Sequence, residues 1–547
     1  MSMMTATGVR GSAPLPDSSE FLQAVMMAEP IPASGAVRQE DILQFVADPA
    51  THGGLPVRRI DTHGAAVFLV GDRALKIKRA VRFPFLDYST PARRKIACEQ
   101  ELVVNRRFAP QIYRRVLPIT RKADGTLELG GDGEAIEWAV DMMRFDERRT
   151  VDHLAAAGPL APDLVTAIAD VIAASHRSAP EAATAPWIAS IELIIADNTA
   201  SFTSGGFPAD QIAALDRASR AAFERHRGLL GQRGAQGFVR RCHGDLHLAN
   251  IVVIDSAPVL FDAIEFDPLI ASVDVLYDLA FPLMDFVHYG RCGAAAELLN
   301  RYLAITPSQN DDAFGLLPLM LSMRAAIRAK VMLSRPADDA GTMRGNRETA
   351  GAYFALAARL ISPPQPRLLA VGGLSGTGKS VLARALAGRI PPLPGAVVLR
   401  SDVARKRLFG VGDTERLPPT AYSPEVTAEV YRGLGERAAH ILAQGHSVIV
   451  DAVFAKAEER QAIEAIATDA GCAMLGLYLI ADLATRIDRV SRRVGDASDA
   501  TPDIVRQQQA YAQDAVGWTE IDAAGTPDQT LASAKAALGR DDQACST

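Results

Sequence analysis

The run Gly373-Leu374-Ser375-Gly376-Thr377-Gly378-Lys379-Ser380 stands directly behind the apolar segment LLAV and directly before the helical run VLARALAG. It fits G-x-x-x-x-G-K-[ST], a loop whose backbone N–H groups turn inward around phosphates while the next helix adds the positive end of its dipole. Such a loop works only between a strand and a helix. The chain beyond it has that texture: LLAVGG, a helix from Lys379, AVVLRSD, a long helical stretch, SVIVDAVF, another helix, then MLGLYLI. Strands separated by helices predict a parallel α/β sheet. In this loop Gly373, Ser375, Gly376, Thr377 and Gly378 form the cradle, Lys379 reaches the β- and γ-phosphates of ATP, and the Ser380 hydroxyl ligates Mg²⁺. Asp451 closes SVIVD, where a Walker-B-like carboxylate holds Mg²⁺ through water; a plain strand-end turn is the alternative.

GLSGTGKS resembles the small-molecule and nucleotide kinase branch of P-loop proteins: gluconate kinase, adenylylsulfate kinase, zeta-toxin-like kinases and polynucleotide 5′-kinases. The resemblance covers roughly residues 367–538. It implies that Asp402, at the end of AVVLRSD, binds or deprotonates the acceptor hydroxyl, a helix N-cap being the structural alternative. It also implies a lid that brings arginines over the phosphates. Arg486, Arg489, Arg492 and Arg493 fall on one helical stretch, and Arg489 and Arg493 are taken as the ATP-binding pair; each is otherwise part of a solvated face. About 170 residues with an arginine-rich lid and no evident second helical subdomain point to phosphoryl transfer rather than to an AAA-type motor.

A second motif lies upstream. His243-Gly244-Asp245-Leu246-His247-Leu248-Ala249-Asn250 resembles the HGDxHxxN loop of aminoglycoside phosphotransferases, choline kinases and other eukaryotic-like small-molecule kinases, over about residues 40–355. By that resemblance Asp245 positions the acceptor hydroxyl and takes its proton, and Asn250 holds a metal ion five residues later. Asp262, twelve residues on and behind an apolar strand, is the second metal-binding aspartate. The family's I-D-W-E is altered, with two residues between Asp262 and Glu265, which leaves open whether Glu265 or Asp267 also approaches the metal. Asp278 in VLYDLAF matches the Y-D-L-A segment that supports the loop. The nucleotide lysine belongs on RALKIK, where Lys76 and Lys78 share a face and Lys78 is favoured. Its ion-pair partner belongs on the following helix, where Glu99 fits the family spacing better than Glu101. DMMRF at 141–145 is the expected adenine hinge. His243 and His247 are read as structural, since no further zinc ligands lie near them.

A length of 547 residues exceeds what one hydrophobic core holds, so at least two domains are required. The boundaries fall at a loose leader over 1–38, a kinase-like domain over 39–361 (N-lobe about 39–145, C-lobe about 146–361), a Pro-rich break at 362–366 and a P-loop domain over 367–547. The fold expected is therefore α+β and α/β in series: a bilobal protein-kinase-like fold, then a parallel-sheet P-loop kinase fold. With 48% apolar residues, a net charge of −6 and five scattered cysteines, the chain reads as an ordinary globular protein of the cytoplasm, its thiols reduced. It carries no stretch long and apolar enough for a membrane span and no broad basic face for nucleic acid.

The whole chain also resembles a bacterial architecture described as a bifunctional aminoglycoside phosphotransferase and ATP-binding protein, in RIDTHGAAVFLVGDRALKIK, FPFLDYST, RRFAPQIY and GDASDA. The function implied is transfer of the γ-phosphate of ATP, with Mg²⁺, to hydroxyls of a small molecule at two sites. The alternative makes one domain a regulatory or effector module, zeta-toxin-like or acting on polynucleotide 5′ ends, with Arg405, Lys406 and Arg407 lining a basic groove. Acceptor identity and oligomeric state are left open.

Overall fold

The computed structural model describes residues 38–62, 64–83, 86–335, 339–493, 495–510 and 517–539. Apart from Arg38, the expected leader and its short helix near 21–27 lie outside them. The chain forms two compact units: residues up to Phe145 joined by Ile264–Pro268, and Asp146–Ala263 joined by everything from Leu269 on.

The first unit is built on an antiparallel sheet. After α1 (Gln39–Ala47) come β1 (Val57–Asp61), β2 (Ala65–Val70), β3 (Arg73–Lys78), the small hairpin of β4 (Arg82–Phe83) and β5 (Leu86–Asp87), α2 (Pro91–Asn105), β6 (Tyr113–Arg121), β7 (Leu127–Leu129) and β8 (Glu134–Met143). The main sheet runs β1-β2-β3-β8-β6-β7. The β2–β3 register, Val70 opposite Arg73, leaves a two-residue turn. Gly71 takes φ 53 there, the positive value such a hairpin needs. Ile42, Leu43 and Val46 of α1 pack with Phe68, Leu75, Ile77, Leu117 and Ile119, so one face of the sheet is sealed by a helix. Helix α2 starts under a cap from the Thr90 side chain and stops at Asn105.

The second unit opens with helices: α3 (Val151–Ala157), α4 (Pro162–Ser178), α5 (Thr184–Ser204) and α6 (Ala209–Ala235). Strand β9 (Val239–Arg241) leads into the HGDLHLAN loop, which is followed by the hairpin β10 (Ile251–Ile254) and β11 (Ala257–Leu260). Then come β12 (Ser272–Asp274), which pairs with β9, and α7 (Val275–His288), α8 (Cys292–Ile305), α9 (Leu317–Leu333) and α10 (Ala340–Ile361). Helix α7 is buried almost all round, and its side chains from Val275 to Val287 are all inaccessible.

Past residues 362–366 the same unit continues as a five-stranded parallel sheet ordered β14-β15-β13-β16-β17. Its elements are β13 (Arg367–Gly373), α11 (Lys379–Ala387), β14 (Val397–Arg400), α12 (Ser401–Leu408), α13 (Pro424–Ala443), β15 (Val448–Asp451), α14 (Ala457–Asp469), β16 (Ala473–Ile480), α15 (Leu483–Arg492), α16 (Pro502–Gln507), β17 (Thr519–Asp522) and α17 (Pro527–Leu538). The alternation of apolar strands and amphipathic helices thus yields the expected doubly covered sheet.

Helix α8 also serves this sheet. Its Ala296 belongs to the apolar cluster of Leu382, Leu386, Ile449, Leu477 and Ile521. At Gly388 a Cβ would meet the Cys292 carbonyl oxygen at 2.4 Å, so only glycine allows this approach of α11 to α8. Strand β14 is an edge, with unpaired backbone groups. The Asn300 amide covers two of them: its Nδ2 donates to Ala396 O at 3.0 Å and its Oδ1 accepts from Val398 N at 2.7 Å. Arg437 on α13 forms a two-pronged pair with Asp311 at 2.6 and 3.1 Å.

Cys98, Cys242 and Cys472 are free thiols, the first two buried. Among the described residues no helix is long and apolar enough to cross a membrane.

Candidate active sites

In the first unit, Lys76 and Lys78 point from β3 toward α2. Glu101 of α2, fully buried, accepts from Lys76 Nζ at 2.8 Å and lies 2.6 Å from Lys78 Nζ. Lys78 also pairs with Glu265, which accepts from the Tyr88 hydroxyl at 3.3 Å. Two ammonium groups and two carboxylates therefore share one dry cluster. Burial alone would lower the Lys78 pKa, but Glu101 and Glu265 outweigh it and hold it well above the lysine range. Burial alone would raise Glu101; Lys76 and Lys78 reverse that and hold it low.

The expectation that Glu99 is the lysine partner is corrected. Its side chain is 54% exposed and lies 3.8 Å from Lys95. Helical geometry explains this: the buried residues of α2 are Arg94, Ala97, Cys98, Glu101 and Asn105, a single stripe with no place for position 99. In the expected hinge, Asp141 is buried and paired with Arg73 at 3.1 Å and Arg115 at 3.2 Å.

In the second unit, two aspartates seven residues apart on one face of α7 grip the HGDLHLAN loop at both ends. Asp278 accepts from Gly244 N at 2.9 Å, from His243 N at 3.2 Å and from the His176 ring at 3.2 Å. Asp285 accepts from Leu248 N at 3.0 Å and from the Tyr353 hydroxyl at 3.2 Å. Between these anchors the loop folds back on itself, Asn250 Nδ2 donating to the Asp245 carbonyl at 2.9 Å and to its carboxylate at 3.3 Å. Burial would raise the Asp245 carboxyl, yet His247, Arg328 and His243 hold it below the ordinary carboxylate range, so it is ionised at neutral pH. Asp262 follows β11 with φ 59, a left-handed conformation that an L side chain adopts at a cost of about 1 kcal/mol.

His243 Nε2 donates to Phe261 O at 2.9 Å, and burial lowers the ring's pKa and keeps it neutral, so it is structural. His176, Cys242 and Asp278 bring one ligand atom each within 4.8 Å of one another. The His176 nitrogens are already engaged by Tyr302 and Asp278, and burial pushes the Cys242 thiol up, so the trio is an anchor for the loop rather than a metal centre.

The phosphate loop lies between β13 and α11. Gly373, Gly376 and Gly378 have φ of 136, 88 and 96. At Gly376 a Cβ would strike the Arg486 carbonyl oxygen at 2.6 Å. Thr377 is buried and closes the loop on Leu374 O at 2.8 Å. Lys379 Nζ rests on the same carbonyl at 3.2 Å. Ser380 Oγ donates to Asp451 Oδ2 at 2.5 Å, and Arg400 lies 3.4 Å from that oxygen. This serine–aspartate pairing sets two oxygen atoms side by side, the ligand type that hard divalent cations take.

Asp402 stands in the first turn of α12, two residues past the end of β14 at Arg400. Arg400 holds the N-cap position without a side-chain bond, which removes the capping alternative for Asp402. Burial first, then the charge of Asp451, raises the Asp402 pKa above the usual carboxylate value.

The lid arginines divide by environment. Arg489 donates to Gly525 O at 2.7 Å and Thr377 O at 3.4 Å, while Arg493 is partly exposed, 3.9 Å from Asp496. Arg492 is 80% exposed and pairs with Asp488. Arg486 is buried and donates to Ser375 O at 3.0 Å. Gln508 completes the hold on that residue, accepting from Ser375 N at 2.8 Å and donating to its Oγ at 3.0 Å.

Two of the three basic residues expected to line a groove are buried in the fold: Arg405 donates to Ala421 O and Lys406 lies against Asp499 at 2.8 Å. Arg407 stays exposed and donates to Ala304 O at 3.3 Å.

Proteins of Mycobacterium tuberculosis and Mycobacterium bovis, both described as uncharacterized, are 30% identical over 487 residues, spanning 87% of this chain and 94% of theirs. Residues 64–313 match the model of the phosphotransferase enzyme family, and residues 368–515 match an AAA domain model. The chain belongs to this family of two-part phosphotransferases. It is a kinase-type enzyme carrying an aminoglycoside-phosphotransferase-like domain and a P-loop kinase domain.

Two solved structures are similar in fold. A choline/ethanolamine kinase family protein from Mesorhizobium loti is 14% identical, over 59% of this chain and 98% of its own, with a TM-score of 0.35. A gluconokinase from Sinorhizobium meliloti is 20% identical, over 32% of this chain and 94% of its own, with a TM-score of 0.25. Four roles in the phosphotransferase are not read from the sequence: Glu101 as the lysine partner, Asp285 as a loop anchor, and Arg486 and Gln508 as the partners of Ser375. The periodicity of α2 and the heptad spacing from Asp278 were legible signals for the first two. For the last two, 111 and 133 residues away from Ser375, there was none.

Proposed function

We propose that this enzyme transfers the γ-phosphoryl group of ATP to hydroxyls of small molecules at two separate sites. The observation that carries the reading is the set of charges at the carboxyl ends of neighbouring strands β13, β14 and β15. Lys379, Asp402 and Asp451 interact there around a glycine cradle, with Ser380 bonded to Asp451. A phosphate-binding loop needs no second carboxylate merely to hold a nucleotide; a base beside the phosphoryl is what transfer to an alcohol requires.

At this site Lys379, Arg489 and Arg493 hold the phosphate oxygens, and Asp402 orients the acceptor hydroxyl and takes its proton. The hydroxyl oxygen bonds to the γ-phosphorus as the bond to the bridging oxygen of ADP breaks. Mg²⁺, held through Ser380 and Asp451, supplies charge neutralisation of the phosphates. In the kinase-like domain the same chemistry falls to Asp245 as the base, with Asn250 and Asp262 as the metal-holding pair. Lys78, or Lys76 beside it, is the phosphate-binding lysine, oriented by Glu101. A polynucleotide acceptor for the P-loop domain is disfavoured, because Arg405 and Lys406, two of the three residues of its basic run, are consumed by internal bonds.

Asp245→Asn and, separately, Lys379→Ala test the proposal in the full-length chain, with γ-labelled ATP and a metabolite extract. Each change is expected to abolish a different set of labelled products. Transfer that survives both changes unaltered would refute it.

A further inference from the structure

Helix α9 carries Arg324 and Arg328, four residues apart and therefore on one face, about 6 Å apart along the helix. Arg324 is largely committed: only its Nη2 lacks a hydrogen bond, and it lies 3.7 Å from Asp278. It is buried, donates to Tyr277 O at 3.0 Å and to Gly244 O at 3.2 Å, and lies over the Tyr277 and Phe281 rings at 3.7 and 4.3 Å. Its bond to Gly244 ties this face of α9 to the HGDLHLAN loop, one residue before Asp245.

Arg328, one turn on, is placed differently. Its guanidinium meets the Tyr353 hydroxyl and lies 5.7 Å from that ring's centre, while its Nε is buried without a hydrogen-bond partner and, among the described residues, it enters no ion pair. Asp285 and Asp245 are the carboxylates whose charges it feels, and both have other partners. The Asp285 oxygens accept from Leu248 N and Tyr353 Oη. The Asp245 carboxylate faces His247 at 3.4 Å and Asn250 at 3.3 Å. Asp152, farther along the same wall near Tyr289, accepts from the Thr150 hydroxyl in the first turn of α3. His288, stacked on Tyr353 at 3.8 Å, is kept neutral by burial and by Arg328. One donor of this planar fork, Nε, is thus left unused on a half-buried cation that feels the charge of the base.

We propose that the acceptor of the kinase-like domain is an anion, a hydroxylated carboxylate or phosphate ester whose charged group docks on Arg328 while its hydroxyl meets Asp245. The inference rests on the reading of Asp245 as the base of that site. A polycationic or quaternary-ammonium acceptor would be repelled by Arg328 and would need surplus carboxylates, yet Asp285 and Asp152 are already bonded within the fold. A guanidinium matches two oxygens of a carboxylate or phosphate at once, which gives the charged end of the acceptor a fixed register relative to its hydroxyl.

The test divides a small-molecule extract of a mycobacterial culture by ion exchange into anionic, neutral and cationic fractions. Each is incubated with full-length protein and γ-labelled ATP, and only label lost in Asp245→Asn is counted. That label is expected in the anionic fraction. Arg328→Gln is expected to raise the half-saturating concentration of the labelled acceptor about ten- to hundredfold, the value of a charged hydrogen-bond pair. The half-saturating ATP concentration should stay within about twofold, and Arg328→Lys should restore part of the loss. Asp245-dependent label confined to the neutral or cationic fraction would overturn the inference while leaving the transfer reading intact. So would an Arg328→Gln enzyme whose ATP and acceptor constants move together, or not at all. No Asp245-dependent label in any fraction would overturn the transfer reading itself, and the inference with it.

Discussion

Replacing Glu101 by Gln removes one carboxylate from a cluster of two lysines and two glutamates while keeping its shape. The lysine side chains are 15% and 4% exposed, so neither ammonium can turn to water when the charge is withdrawn. Removing one partner of a buried pair costs about 3–5 kcal/mol. Lys78 retains Glu265, which places the expected loss near 3 kcal/mol, or roughly a hundredfold in the local opening equilibrium. Hydrogen exchange read by mass spectrometry on peptides covering 73–78 and 91–105 measures this, since those segments exchange through openings that break the cluster. Glu99→Gln is the internal control: a half-exposed carboxylate is worth at most about 1 kcal/mol, a change in exchange of no more than about fivefold. The effect should also depend on pH. Glu101 is held below its ordinary value of 4.5, so its contribution is complete above that pH and is lost as pH falls through the lowered value. The difference between wild type and Glu101→Gln should therefore shrink in acid. Equal exchange in the two glutamine variants at neutral pH would refute the assignment of Glu101 as the lysine partner.

Three further expectations follow from the second unit. Asp278→Asn turns an acceptor of two backbone N–H groups into a side chain that can also present a donor to them; it should cost about 2–4 kcal/mol in thermal unfolding and reduce Asp245-dependent phosphate transfer. Asn300→Ala uncovers Ala396 O and Val398 N on the edge strand, so exchange of peptide 396–400 should quicken by about tenfold or more, with transfer at the P-loop site impaired through the displaced Asp402. His446 is buried against Phe314 and pushed down to about 4. The unfolded chain takes up this proton near pH 6.5, so stability is full above that value and falls by up to about 3 kcal/mol as pH drops to 4. His446→Gln should flatten that slope in thermal unfolding measured between pH 7 and 4.5.

The parts of this enzyme that are legible in its sequence are those written in contiguous residues. GLSGTGKS between an apolar strand and a helix specifies the parallel sheet, and HGDLHLAN specifies a loop that bonds its own Asn250 to Asp245 five residues away. Wherever a partner is chosen by a helix face, counting along the chain fails. Glu99 fits a spacing, but Glu101 lies on the buried stripe with Ala97 and Cys98. Asp402 stands two residues beyond its expected strand, since β14 ends at Arg400. The run Arg405-Lys406-Arg407 reads as a solvent-facing basic patch only until Asp499 and the Ala421 carbonyl are folded against its first two residues. Arg486 and Gln508 hold Ser375 across more than a hundred residues, a relation set by the packing of α15 and α16 that no local pattern encodes.

Two independent nucleotide sites are the core of this account, and equilibrium titration of the full-length protein with a non-hydrolysable ATP analogue and Mg²⁺ tests them directly. Two equivalents are expected to bind, falling to one in Lys379→Ala as the phosphate loop loses its cation. A single equivalent in the intact chain, or a stoichiometry that Lys379→Ala leaves unchanged, would contradict it.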